Sequence, residues 1–110
     1  MKLRDVAHAR AGDKGRLVNL SVIAFDERDF SWLVDVVTVE RARDHLGLLV
    51  GNDVRRYLVP GIGAINFVAT RPVGQSVTRS LALDAHGKAL SSALLEMELP
   101  ARPERLAAHQ

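Results

Sequence analysis

Between Val18 and Phe25 the chain reads VNLSVIAF, rich in β-branched residues. Leu20, Val22 and Ala24 alternate there with Asn19, Ser21 and Ile23, a period of two that suits a central β-strand better than a helix. Val54–Val59 and Ala64–Ala69 read as two more strands, joined by Pro60-Gly61-Ile62-Gly63, a turn-rich linker whose length permits a hairpin. Leu3–Ala7 reads as a short strand entering a glycine-bounded loop at Ala11–Gly15, so that it and the Val18 strand can form an antiparallel hairpin. Val77–Leu83 supplies a further alternating run, broken at Asp84-Ala85-His86-Gly87.

Between these runs the period changes to that of a helix. Asp26 is placed as an N-cap with Asp29 three residues on, and Phe30, Leu33, Val34 and Val37 follow at helical spacing. A second helix begins near Thr38, with Glu40 in its first turn, Val39, Ala42, Leu46 and Leu49 along one face, and Gly51 as its stop. Leu90, Ala93, Leu94 and Met97 repeat at helical spacing, with a short strand near Glu98. The segment from Asp84 to Lys88 has a second reading, as a hairpin turn into a strand. The elements are too few and too short for a doubly wound parallel sheet. The expected fold is α+β, an antiparallel sheet covered on one face by helices, a ferredoxin-like sandwich in the broad sense. Residues 1–99 are expected to form one domain and 100–110, with two prolines and alternating charge, a poorly ordered tail.

Composition narrows the function classes. The 110 residues carry no cysteine, which removes disulfides, thiolate nucleophiles and zinc-finger spacing and points to a reducing cytoplasm. Twelve arginines and three lysines stand scattered among acids for a formal charge of +2, without the basic face or interleaved aromatics of a nucleic-acid binder. No run approaches the roughly eighteen apolar residues of a membrane span. His8, His45, His86 and His109 show no metal-ligand spacing, and no nucleophile elbow surrounds Ser21, Ser76, Ser91 or Ser92. No cofactor is expected, and catalysis by the chain alone is not.

Two segments remain that can carry chemistry. In His8-Ala9-Arg10-Ala11-Gly12-Asp13-Lys14-Gly15-Arg16, glycines three apart allow backbone N–H groups to converge on an anion, with Arg10, Lys14 and Arg16 supplying charge. The alternative is a tight turn between strands, which that composition also suits. In the second segment, Asn66, Thr78, Arg79, Ser80, Asp84, His86 and Lys88 could complete a pocket for a small polar ligand if their strands lie near the first loop. His8 and Asp13 are the weak candidates for an acid–base pair, histidine titrating near neutrality and a carboxylate orienting it.

Read together, HARAGDKGRLVNLSVIA, RYLVPGIGAINFV and TRSLALDAHGKALSSALLEMEL resemble the small ferredoxin-fold-like C-terminal domain of the acyclic terpene utilisation (AtuA-type) proteins. The resemblance runs from about Leu3 to Leu99. The positions that carry it include His8, Arg10, Gly12, Asp13, Lys14, Gly15 and Asn19, then Gly63, Asn66 and Phe67, then Arg79, Ser80, Asp84, Gly87 and Lys88. It implies an accessory role beside a large AtuA-type protein, in the breakdown of acyclic terpenoids or branched acids as coenzyme A thioesters. The second possibility it leaves is a module binding a small anion, a carboxylate or an acyl-coenzyme A, through Arg10, Gly12, Asp13, Lys14, Gly15, Asn19, Asn66 and Arg79. A small hydratase or isomerase is a third. Arg16 stands where the family often has an acid, and Val73-Gly74-Gln75-Ser76-Val77 where it often has a glycine-rich run. An exposed sheet face or edge is compatible with a homodimer.

Overall fold

The alternating run at Val18 forms β2 (Leu17–Ala24), which pairs along its whole length on one side and from Leu17 to Ile23 on the other. One neighbour is β1 (Ala7–Lys14); the other is β4 (Ala64–Thr70), which in turn pairs with β3 (Val54–Val59). The computed structural model describes residues 1–51, 53–71 and 88–103. Within them the sheet has four antiparallel strands in the order β1-β2-β4-β3.

Side chains alternate across a strand, so the register decides what each face carries. Val18, Leu20 and Val22 of β2 and Ile65, Phe67 and Ala69 of β4 all point to one side and are buried. Against that side pack α1 (Phe30–Val36), α2 (Val39–Leu46) and α3 (Lys88–Leu95). Leu33, Val37, Ala42, Leu46, Leu90 and Leu94 close the core from the helix layer. The fold is therefore the expected α+β sandwich with helices on one face.

The local signals act largely as their chemistry predicts. Asp26 accepts from the Arg28 backbone N–H through its side chain at 2.9 Å and opens a 3-10 turn that leads into α1. Thr38 accepts from the Arg41 N–H at 3.1 Å and caps α2. The helix ends at Gly47, whose φ of +54° is open to glycine at little cost, rather than at Gly51. Gly51 has a different duty. Its N–H donates to the Thr70 carbonyl at 2.7 Å, and a Cβ there would meet Thr70 Oγ1 at 2.3 Å.

The N-terminal strand is displaced from its expected place. Leu3–Asp5 is a 3-10 turn in which Asp5 accepts from the Lys2 N–H and Leu3 is fully buried, and the strand runs instead from Ala7 to Lys14. Gly12 and Asp13, poor strand formers, are carried into the ladder because Asn19 and Val18 across the pair are already fixed in β2. The stretch near Glu98 makes a single bridge to Lys2. The expected strand at Val77–Leu83 and the turn at Asp84–Gly87 lie outside the described residues.

The elements are joined by polar ties as well as apolar packing. Arg56 of β3 donates through Nη1 to the Val34 and Val37 carbonyls at 2.7 and 2.9 Å, satisfying acceptors that the C-terminal end of α1 leaves without helical partners. His45 Nε2 meets the Ala93 carbonyl at 2.6 Å, linking α2 to α3. Arg102 pairs at 2.8 Å with Asp29, which is almost wholly buried. Replacing Arg56 by Leu is expected to lower the unfolding free energy by about 2 kcal/mol, since two carbonyls lose a charged donor; urea denaturation would measure it.

Candidate functional site

The side of the sheet away from the helices bears a different set of residues. In β1 it carries His8, Arg10 and Gly12, and in β2 Asn19, Ser21 and Ile23. Asn66 and Val68 of β4 and Arg55 and Tyr57 of β3 continue it. No aspartate or glutamate occupies a strand position on this face among the described residues. Among the described residues the face is donor-rich, and the one carboxylate at its margin, Asp53, precedes β3 and is paired with Arg55.

Register aligns its polar groups into rows. Arg10 stands opposite Ser21, Ser21 opposite Asn66, and Asn66 opposite Tyr57, so one line of side chains crosses all four strands. Ser21 Oγ donates to Asn66 Oδ1 at 3.0 Å. The carboxamide oxygen thereby has a donor, and the Nδ2 group carries two further hydrogens to offer. The next row places Gly12 opposite Asn19, Asn19 opposite Val68 and Val68 opposite Arg55. Arg55 Nε is engaged by Asp53 at 3.4 Å, and that carboxylate, by hydrogen bond first and charge second, raises the guanidinium above its already high ordinary value. A depression of about 240 Å³ lies beside it, lined by Leu17, Asp53, Arg55, Tyr57, Val68 and Thr70.

Of the residues singled out in the sequence, Arg10, Gly12, Asn19 and Asn66 fall together on this open face, on three adjacent strands. Lys14 pairs with Leu17 at the end of the β1–β2 ladder. Gly15 sits apart, at the two-residue turn Gly15-Arg16, where its φ of +64° is what the first position of a II′ hairpin turn requires. Gly12 and Asp13, being in the ladder, direct their backbone groups along the sheet and do not form a nest around an anion. Asp13 points to the side of Val18 and binds Arg71, whose Nε also donates to the Gly15 carbonyl at 2.9 Å. Thr78, Arg79, Ser80, Asp84 and His86 lie outside the described residues.

The same parity separates His8 from Asp13. Five positions apart on one strand, they point to opposite faces with their Cα atoms on the order of 16 Å apart, too far for a direct acid–base pair. His8 instead stacks on Phe25, ring centroids 5.6 Å apart and planes 11° from parallel. Ser21, Arg55 and Tyr57 are members of the face that inspection of motifs passes over. The signal for Ser21 is present in the sequence, since alternation puts it on the side of Asn19; Arg55 and Tyr57 require the β3–β4 register. No three His, Asp or Glu side chains come together in a metal-holding group among the described residues.

Residues 1–100 match the family model of the AtuA ferredoxin-like domain. Comparison with curated proteins and with solved structures gave no match. No helix among the described residues is long and apolar enough to cross a membrane.

The two glycines of the GDKG segment are expected to respond oppositely to substitution. Gly15→Ala should cost about 1–2 kcal/mol, because it forces a side chain into a left-handed backbone. At Gly12, where an added Cβ meets nothing within 4 Å, alanine should change stability by less than about 0.5 kcal/mol. Thermal or urea unfolding of the pair distinguishes turn from strand.

Proposed function

The chain belongs to the family of AtuA ferredoxin-like domains, and on that basis we propose that it serves as an accessory subunit or domain of a large AtuA-type protein. The observation that carries this reading is the reach of the match, residues 1–100, which takes in every described strand and helix. The setting we assign is the breakdown of acyclic terpenoids or branched acyl-coenzyme A compounds, in a reducing cytoplasm that a cysteine-free chain suits.

One end of the sheet suits a protein contact. Phe25, after β2, is 63% exposed, and Ile62, in the β3–β4 turn, is 65% exposed. The Ala24 N–H donates to the Gly63 carbonyl at 3.0 Å, which keeps these two segments together. Val59 and Leu58 extend the apolar surface along β3, an outer strand of the described sheet, one on each of its faces. Large apolar side chains grouped at one place characterise interaction surfaces better than singly scattered ones do. We assign this end to the large partner.

A second reading, a module for a small anion, is favoured by the gathering of Arg10, Asn19 and Asn66 on the open face. Against an independent hydratase or isomerase stands the separation of His8 from Asp13 on opposite faces.

Co-expression with a large AtuA-type protein, followed by size-exclusion chromatography, tests the first reading. A complex at micromolar concentration is expected. Phe25→Asp with Ile62→Asp should abolish it while leaving the unfolding midpoint nearly unchanged, both side chains being exposed. Absence of any complex, or a wild-type chain that only self-associates into a homodimer through these residues, would overturn it.

A further inference from the structure

We propose that the open sheet face holds an amphipathic monocarboxylate, its head over Gly12 and Ser21 between Arg10 and Asn66 and its aliphatic chain laid over Val68 toward Leu17 and Tyr57. The inference rests on the anion-binding reading and gives it a location, a ligand class and a set of residues.

The head group follows from which donors are unengaged. Arg55 has its Nε on Asp53, whose charge balances its own, whereas Arg10 has no partner among the described residues and is exposed. Asn66 has its oxygen taken by Ser21 and keeps its two N–H donors. Arg10 and Asn66 stand two strands apart, so their backbones are separated by roughly 9–10 Å with only a serine between them. Diagonal to that serine lies Gly12, above which space is open, with nothing within 4 Å of an added Cβ. Small residues thus floor a notch walled by two donor-bearing side chains. The Arg10 guanidinium, its charge unbalanced among the described residues, with neutral amide donors beside it matches one negative charge, and its planar fork matches a carboxylate. Among the described residues no acid stands at a strand position of this face, and Asp53 at its margin is paired with Arg55.

The chain follows from what lies beside the notch. Val68 is the β4 neighbour of Asn19, and with Leu17 and Tyr57 it supplies the apolar part of the depression of about 240 Å³. That volume falls below the roughly 300–1,000 Å³ of sites that enclose drug-sized ligands. It accommodates a flexible hydrocarbon arm lying on the sheet and is too small to enclose a nucleotide. Asp53 at its rim is turned to Arg55, so the carboxylate end is directed away from it, toward Arg10.

Titration of the full chain with sodium octanoate, followed by NMR of backbone and Asn66 side-chain amides, tests the proposal. Octanoate should shift the Asn66 Nδ2 resonances and the amides of Gly12, Ser21 and Val68; octylamine should not, and acetate should bind at least about tenfold more weakly for want of a chain. Arg10→Gln should weaken octanoate at least about tenfold. Gly12→Val should abolish binding with no loss of stability, because the strand tolerates a β-branched residue there and the side chain fills the notch. If octyl phosphate or octanoyl-coenzyme A binds at this face and octanoate does not, the carboxylate head is wrong and the wider anion-binding reading stands. If none of the three binds at millimolar concentration, both fall. Octanoate binding unaffected by Arg10→Gln and Gly12→Val would place the site elsewhere and overturn the proposal.

Discussion

The ladder between β2 and β4 is the constraint from which the rest of this domain follows. Both strands are interior, each pairing on two sides, so neither can shift by one residue without turning Val18, Leu20, Val22, Ile65 and Phe67 to solvent. Burial of those side chains fixes the parity of every strand at once. Because Leu20 and Phe67 must face the helices, Ser21 and Asn66 must face away and meet each other. The polar row on the open side is the geometric complement of the core, and it needs no separate instruction to assemble.

This is also why some of the architecture can be read from the letters and some cannot. Val18–Ala24 and Ala64–Ala69 announce themselves because alternation and β-branching agree, and Thr38 announces α2 because its hydroxyl has a clear task at the helix start. Ala7–Lys14 does not. Its Ala, Gly and Asp residues carry little strand preference, and it becomes a strand because β2 offers a ready edge, a tertiary effect that local composition does not encode. For α2 the sequence points to Gly51 as the stop, yet the helix ends at Gly47; Gly51 lies instead against Thr70, a contact between residues nineteen apart that local spacing does not encode.

The candidate site divides along the same line. Arg10, Asn19 and Asn66 could be named from residue chemistry, but their sharing of one face, and the exclusion of Asp13 from it, depend on register. Gly12 and Gly15 look alike in the motif and do opposite things: one leaves room above a strand, the other permits the hairpin turn. Arg55 and Tyr57 enter only because β3 is aligned by its hairpin with β4. The sheet thus keeps two surfaces with separate tasks, an apolar end around Phe25 and Ile62 and a donor-rich centre.

The tie between sheet and helices has one further property. Arg56 reaches from β3, at the border of the described sheet, to two carbonyls at the C-terminal end of α1, so one guanidinium bridges the outermost strand and the helix layer. Because both acceptors share one donor nitrogen, that helix end cannot slide along the strand without giving up both bonds together. The sheet is thereby clamped at its border as well as at its centre, and the helix layer gives the open side a fixed backing.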